Sequence, residues 1–417
     1  MRGLVHRDFH AVRDALELCV PRSGPGGAAV AIYHRGEKVV ELAAGTRDAA
    51  GAPFEVDTLA VSMSTTKGVT ATALHVLVDR GEVALDAPVA RYWPEFGARG
   101  KAAITVRQAL AHQAGLYRVS HLVETFEELY DWDAMQRLVA DAEPAHAPGE
   151  DTGYHAFTYG WLIGEIVRRV AGTPTFSEAL DELVARPLAL RGLFVGLPDR
   201  ELPRVAEFVG RRRLPSFSPR TLRALRGAAR AGLARLGANT DVDDTVGALL
   251  PPGIGEVDLN SPAFRRAAMP AVNGHFDAGS LAKLYAALAG DGSIGGARLM
   301  SRATIEEATR DHTGYFALCR VIPFPLRMKL GFHRAISLGL RVPALGRTFD
   351  LGVASPHSFG HFGFGGSGAW ADPERELSVA VVTNTFFGRL PLDLRTVAIA
   401  TAAAWAADRR GAVKSCS

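Results

Sequence analysis

Cysteine is scarce in this chain. Cys19, Cys319 and Cys416 stand far apart among 417 residues, in no C-x-x-C pattern. An odd number without paired spacing excludes a disulfide framework and a cysteine zinc site, and fits isolated thiols in a reducing compartment. No run of about 18 apolar residues occurs, so no transmembrane helix is expected. The stretch Met1 to His10 lacks the apolar core of a secretory signal, which makes cytoplasmic localisation the expectation. No H-E-x-x-H occurs, so no metal is expected, and no other cofactor. No G-x-G-x-x-G follows the opening strands, which argues against a dinucleotide-binding start. A complete G-x-S-x-G elbow is also missing, which argues against the α/β-hydrolase route to ester chemistry.

Acidic charge is missing from one strongly basic stretch in the middle of the chain. The net charge is +3, which gives no reason to expect nucleic acid as a partner. From Arg211 to Arg235, however, there are eight arginines and no acidic residue; removing those eight charges from +3 leaves −5 for the rest. Within that stretch the spacing predicts an amphipathic helix over 219–237. Leu222, Leu225, Ala229, Leu233 and Leu236 form a stripe, and Arg220, Arg223, Arg226, Arg230 and Arg235 lie off it. Three readings stand: a peripheral helix with a solvated basic face, a lid, or a weak contact with anionic lipid or an acidic partner.

What is present is an average globular composition, 47% hydrophobic and 22% charged. Residues 7–20 have helical spacing. Two strands, 28–33 and 38–44, then read as a hairpin around Arg35-Gly36-Glu37. Residues 69–78 form a helix that is apolar nearly all round and so belongs in the interior. Further helices fit 104–112, 122–142 and 159–170, with Gly172 as a stop. After a loose stretch at about 196–262, a helix at 276–290 and a short one at 301–309 lead to a glycine-rich strand from Gly360. Asp372 to Glu376 reads as a turn, Leu377–Thr383 as an apolar strand, and 391–407 as an Ala-rich helix.

The interior helix begins with Ser64-Thr65-Thr66-Lys67. Residues i and i+3 share a helix face, so the Ser64 hydroxyl and the Lys67 amine point the same way. That pair is the minimum for a serine nucleophile with a lysine base. A helix N-terminus also favours a developing anion. Alone, the spacing is common. Four further segments follow in order: Leu85-Asp86-Ala87-Pro88-Val89, Ile104 through Leu116, Pro148-Gly149 through Tyr154, and Gly360-His361-Phe362-Gly363.

Together these segments resemble the serine β-lactamase and penicillin-binding-protein superfamily, in its class C-like branch, over roughly residues 25–410. That branch includes family VIII carboxylesterases. The resemblance implies an α+β fold of the β-lactamase/transpeptidase type, an antiparallel sheet flanked by helices plus a mostly helical lobe. Residues 1–90 and 270–417 would form a discontinuous sheet domain. Residues 91–269 would form the lobe, with the basic insertion at about 196–262.

The resemblance also implies roles. Ser64 corresponds to the acylated nucleophile, Lys67 to its base and Tyr154 to the tyrosine of the second motif. The backbone N–H groups of Ser64 and Phe364 correspond to the oxyanion hole. His361 orients or polarises the site, and Gly363 lets substrate approach the strand edge. His155 adjoins Tyr154, which places it near the cleft as a substrate-binding candidate, with a structural role the favoured reading. His112 is expected to be structural. Two departures stand out: Ala156 where β-lactamases often carry Asn, and His361 where many carry Lys. Both remove polar handles for a charged lactam. The expected function is therefore a carboxylesterase acting on small acyl esters through a Ser64 acyl-enzyme. A β-lactamase, a D-amino-acid peptidase or an acyltransferase with the same nucleophile is the alternative.

Overall fold

The computed structural model describes residues 1–209, 240–312, 319–322, 327–335, 337–342, 347–386 and 394–415. The basic stretch 219–237 and Cys416 lie outside these residues. Among the described residues no helix is long and apolar enough to cross a membrane.

Both ends of the chain meet in one sheet. The N-terminal part supplies β1 (Arg2–Val5), β2 (Gly27–His34) and β3 (Glu37–Gly45). A small three-stranded sheet joins β4 (Ala60–Val61), β5 (Leu193–Phe194) and β6 (His275–Phe276) in the order β4-β6-β5. Two hairpins follow, β7 (Ser293–Ile294) with β8 (Ala297–Arg298) and β9 (Ser337–Val342) with β10 (Arg347–Gly352). The C-terminal part then supplies β11 (Phe359–Phe362), β12 (Gly368–Asp372) and β13 (Leu377–Thr383). The main sheet runs β1-β3-β2-β13-β12-β11, antiparallel throughout.

Alternating side-chain size explains why this sheet is covered on both faces. Successive residues of a strand point to opposite faces. In β2, Ala29, Ala31 and Tyr33 enter one apolar cluster while Ala28, Val30 and Ile32 enter another. In β13, Ala380 and Val382 enter the first and Leu377, Val379 and Val381 the second. The registers Val379↔Ile32 and Ala380↔Ala31 align these faces across the pair. The alanine-rich face admits the helix Ala278–Ala289 closely, and the Ser378 hydroxyl donates to its Ala282 carbonyl at 2.8 Å. The bulkier face is covered by α1 (His10–Cys19), through Val12 and Leu16, and by the C-terminal helix Leu394–Ser415, through Ile399 and Ala403.

Helix α2 (Thr65–Asp79) lies inside, with every residue from Thr65 to Leu77 buried. Its four threonine hydroxyls are all bonded, as burial demands. The Thr72 hydroxyl donates to the Gly68 carbonyl at 2.7 Å and that of Thr70 to the Pro270 carbonyl at 2.6 Å. The middle of the chain supplies α3 (Val106–Leu110), α4 (Trp132–Asp141) and α5 (Thr158–Ala171). Helical spacing over 122–142 resolves into short 3₁₀ turns before α4, because the Asp131 carboxylate caps the Ala134 N–H and starts the helix there. The C-terminal helix continues past the expected residue 407 to Ser415.

Candidate active site

Ser64 precedes α2, and Met63 before it holds a φ of +44°. A non-glycine residue there carries strain, which is concentrated at functional positions. The carbonyl of Ser367, in the turn after β11, accepts from the Thr65 hydroxyl at 3.2 Å and from the Gly363 N–H at 2.8 Å. One carbonyl thus ties the start of α2 to the end of β11.

Gly363 allows that approach. A Cβ there would stand 2.2 Å from the Ser62 carbonyl oxygen and 3.1 Å from the Met63 Cβ. The missing side chain makes room for the backbone that leads into the nucleophile. This gives the glycine a second reason beside the expected approach of an ester to the strand edge.

Lys67 is fully buried. Its amine donates to the Ala156 carbonyl at 2.7 Å and the Ala271 carbonyl at 3.0 Å, and stands 3.3 Å from Ser64 Oγ. Burial, with no carboxylate to offset it, drives its pKa well below that of an ordinary lysine. A neutral amine that donates both hydrogens to the two carbonyls leaves its lone pair facing Ser64 Oγ. The Ala271 carbonyl reaches Lys67 because α5 packs tightly against the segment carrying it. A Cβ on Gly160 would stand 2.7 Å from the Ala271 nitrogen.

Tyr154 lies against this pair. Lys67 Nζ is 4.9 Å from the centre of its ring. Burial raises the phenol's pKa above the ordinary value, and a hydrogen bond with Ser64 opposes the shift only partly. The phenol therefore keeps its proton. Its ring is flanked by His112, centroids 4.9 Å apart, and by His361 at 6.4 Å. The His361 ring packs edge-on against His333 at 4.7 Å. Burial first, then the neighbouring His333, Lys67 and His112, holds His361 well below the ordinary histidine value, so it is an uncharged imidazole.

His155 is not offered to the cleft. Its Nε2 accepts from the Leu116 N–H at 2.9 Å, which leaves the proton on Nδ1, donated to the Gly153 carbonyl at 2.6 Å. Burial pushes its pKa down to about 3. Both ring nitrogens are used to shape the loop that carries Tyr154, which agrees with the favoured structural reading and corrects the substrate-binding candidate. The His155 N–H in turn donates to His112 Nδ1 at 3.1 Å, and His112 holds a φ of +60°. His112 thus packs directly on Tyr154.

One contributor went unread in the sequence. The Tyr154 N–H donates to Cys319 Sγ at 3.3 Å, and the Arg320 N–H donates to the Thr152 carbonyl at 2.9 Å. Arg320 Nε binds Asp244 at 2.8 Å, where Arg118 and Tyr117 also bond. Burial raises the Asp244 pKa, but the bonds from Arg320, Arg118 and Tyr117 outweigh it and hold the carboxylate ionised. A lone cysteine far along the chain carries no signal that would have announced this contact.

Comparison with known proteins places the chain as a whole. The family model described as Beta-lactamase matches residues 13–404. The chain belongs to the beta-lactamase family. It is a serine hydrolase. It is 35% identical over 392 residues to the esterase/beta-lactamase LipL of Mycobacterium tuberculosis (strain ATCC 25618 / H37Rv), across 93% of this chain and 84% of that one. Among solved structures it resembles a penicillin-binding protein homologue from Caulobacter crescentus, with a TM-score of 0.79 and 35% identity, over 97% of this chain and 99% of that one. It also resembles a family VIII carboxylesterase, with a TM-score of 0.79 and 33% identity over the same shares. Within the beta-lactamase family, the lysine here finds the backbone carbonyl of Ala156 at the position where β-lactamases often carry Asn.

Proposed function

We propose that the protein is a carboxylesterase acting on small acyl esters through an acyl-enzyme on Ser64. The observation that carries this reading is the setting of Lys67: buried, depressed in pKa, and donating to two carbonyls with Ser64 Oγ beside it.

The steps follow. Ser64 Oγ attacks the ester carbonyl carbon as its proton passes to Lys67 Nζ. The negative oxygen forms between the N–H groups of Ser64 and Phe364. The intermediate collapses, the carbon–oxygen bond to the alcohol breaks, and the alkoxide takes the Tyr154 proton, which Lys67 replaces. Water then attacks the acyl-enzyme. Its proton passes to the same pair and returns to Ser64 Oγ, and the carboxylic acid leaves.

Two features support an ester over a lactam. Ala156 offers no side-chain amide, and the uncharged His361 cannot draw a carboxylate as a lysine would. The names of LipL, an esterase/beta-lactamase, and of the family VIII carboxylesterase agree with ester chemistry. Labelling with a fluorophosphonate followed by peptide mapping tests the nucleophile. The label is expected on Ser64, and a Ser64→Ala variant is expected to release no p-nitrophenol from p-nitrophenyl butyrate above background. Full activity in that variant would sink the proposal. Turnover of nitrocefin as fast as of esters would favour the β-lactamase alternative instead.

A further inference from the structure

A cavity of about 500 Å³ lies where the end of β2 meets the start of the helix Ala278–Ala289. Ser64, Lys67, Tyr154 and His361 take no part in its wall. That wall is held by backbone bonds. The Asp277 N–H donates to the Gly192 carbonyl at 3.0 Å, and the Gly192 N–H to Ser280 Oγ at 3.0 Å. The Arg204 guanidinium donates to the Asp57 carbonyl at 2.8 Å and to the Arg191 carbonyl at 3.1 Å. A site fixed in this way has little ordering cost to meet when a ligand enters.

The carboxylates of the wall are already engaged. Glu41 accepts from the Lys38 ammonium at 2.6 Å. Asp277 accepts from the Ser280 N–H at 2.6 Å and stands 3.5 Å from Arg204, and Asp57 stands 3.7 Å from Arg204. What remains are donors. Tyr33 lines the cavity and is 8% exposed, and its hydroxyl has no hydrogen-bond partner among the described residues. Burial first, then the charges of Glu41 and Asp277, pushes its pKa up to about 12, so it keeps a proton to donate. Lys283 gives one hydrogen to the Leu188 carbonyl at 2.7 Å and meets no carboxylate among the described residues. Arg191 is exposed and meets none there either. A largely buried phenol without an acceptor is costly, which singles out the cavity as a place where an acceptor belongs.

The character of that acceptor follows from the wall. Four cations, Lys38, Arg191, Arg204 and Lys283, face the three carboxylates, so the balance suits one negative charge. Gly279, at the positive end of the helix, adds to it. The remaining wall is apolar, formed by Val56, Ala189 and Leu190. A bare inorganic anion would leave those side chains uncovered, whereas an anion carrying a short aliphatic tail covers them. We propose that this cavity binds a short-chain carboxylate, with its head on the Tyr33 hydroxyl, Lys283 and Arg191 and its tail on Val56 and Leu190. The site is separate from Ser64 and does not depend on the esterase reading.

Isothermal titration calorimetry of the full chain with sodium butyrate tests this. One site per chain is expected, with a Kd of about 1 mM. Inorganic phosphate, which lacks the tail, is expected to bind about tenfold more weakly, and butylammonium not at all. Tyr33→Phe removes only the hydroxyl and is expected to weaken butyrate about tenfold. Lys283→Gln is expected to weaken it by a similar factor, and reads the same head group if Tyr33→Phe does not fold. Ser64→Ala is expected to bind butyrate as wild type does. The inference is overturned if butyrate does not bind, if phosphate or butylammonium binds as tightly, or if the Kd is unmoved by a folded Tyr33→Phe or by Lys283→Gln. Loss of binding in Ser64→Ala overturns it as well, because butyrate would then sit at the nucleophile.

Discussion

The Gly363 Cα and the Ser62 carbonyl oxygen are so close that a Cβ added to the glycine would lie 2.2 Å from the oxygen. This contact sets the distance between the two N–H groups proposed to hold the oxyanion. Substitution Gly363→Ala must push β11 and the nucleophile apart. Losing one oxyanion donor costs about 10²–10³ in kcat. The variant is expected to lose about 100-fold in kcat on p-nitrophenyl butyrate with a much smaller change in KM. Steady-state kinetics on folded protein checks it, and an unchanged kcat would refute the role given to the contact.

Lys67 gives a pH dependence of known sign. As an ammonium it cannot take the Ser64 proton. Burial places its pKa below the ordinary 10.5, so kcat/KM is expected to rise with pH through that depressed value. It should not fall again near pH 10, the ordinary tyrosine value, because burial keeps Tyr154 protonated beyond it. Lys67→Arg is expected to lose at least about 10³-fold, since a guanidinium stays charged. A profile that declines from pH 6 upward would show that another group is the base.

Cys319 accepts the Tyr154 N–H, and replacing the sulfur separates packing from bonding. Cys319→Val keeps an apolar group of similar size but strands a buried donor, at a cost of about 1–3 kcal/mol. Cys319→Ser keeps an acceptor. The valine variant is expected to lose about tenfold in kcat with KM nearly unchanged, and the serine variant to retain most activity. Equal losses in both would reduce Cys319 to a packing residue.

The sequence was most legible where a pattern of residue types fixes a geometry. A short apolar run rich in β-branched residues made Leu377–Thr383 a strand, and i,i+3 spacing placed Ser64 beside Lys67. It was silent where the backbone does the chemistry. The Ala156 and Ala271 carbonyls that hold Lys67 have no residue-type signature, since every residue has a carbonyl. For His155 both readings stood open because proximity in sequence to Tyr154 says nothing of where a ring points. Gly363 stands out in the sequence, but what fills the missing side chain's space is set by a residue 301 positions earlier.

Asp277 connects the fold to pH. It caps the helix Ala278–Ala289, accepting from the Ser280 N–H at 2.6 Å, and its other oxygen is 3.5 Å from Arg204. Burial dominates and raises its pKa from 3.8 to about 6. A carboxyl with a raised folded-state pKa holds its proton in the native state after the unfolded chain has lost it. Its contribution to stability is therefore complete below pH 3.8 and is lost as pH rises to about 6, a change of order 2–3 kcal/mol. Asp277→Asn keeps an oxygen for the Ser280 N–H and cannot ionise. Urea unfolding at pH 4 and pH 7.5 is expected to show the variant losing less stability than wild type over that interval, with the m-value unchanged. Parallel losses in the two proteins would mean that Asp277 is already ionised at pH 4, and that Arg204 outweighs its burial.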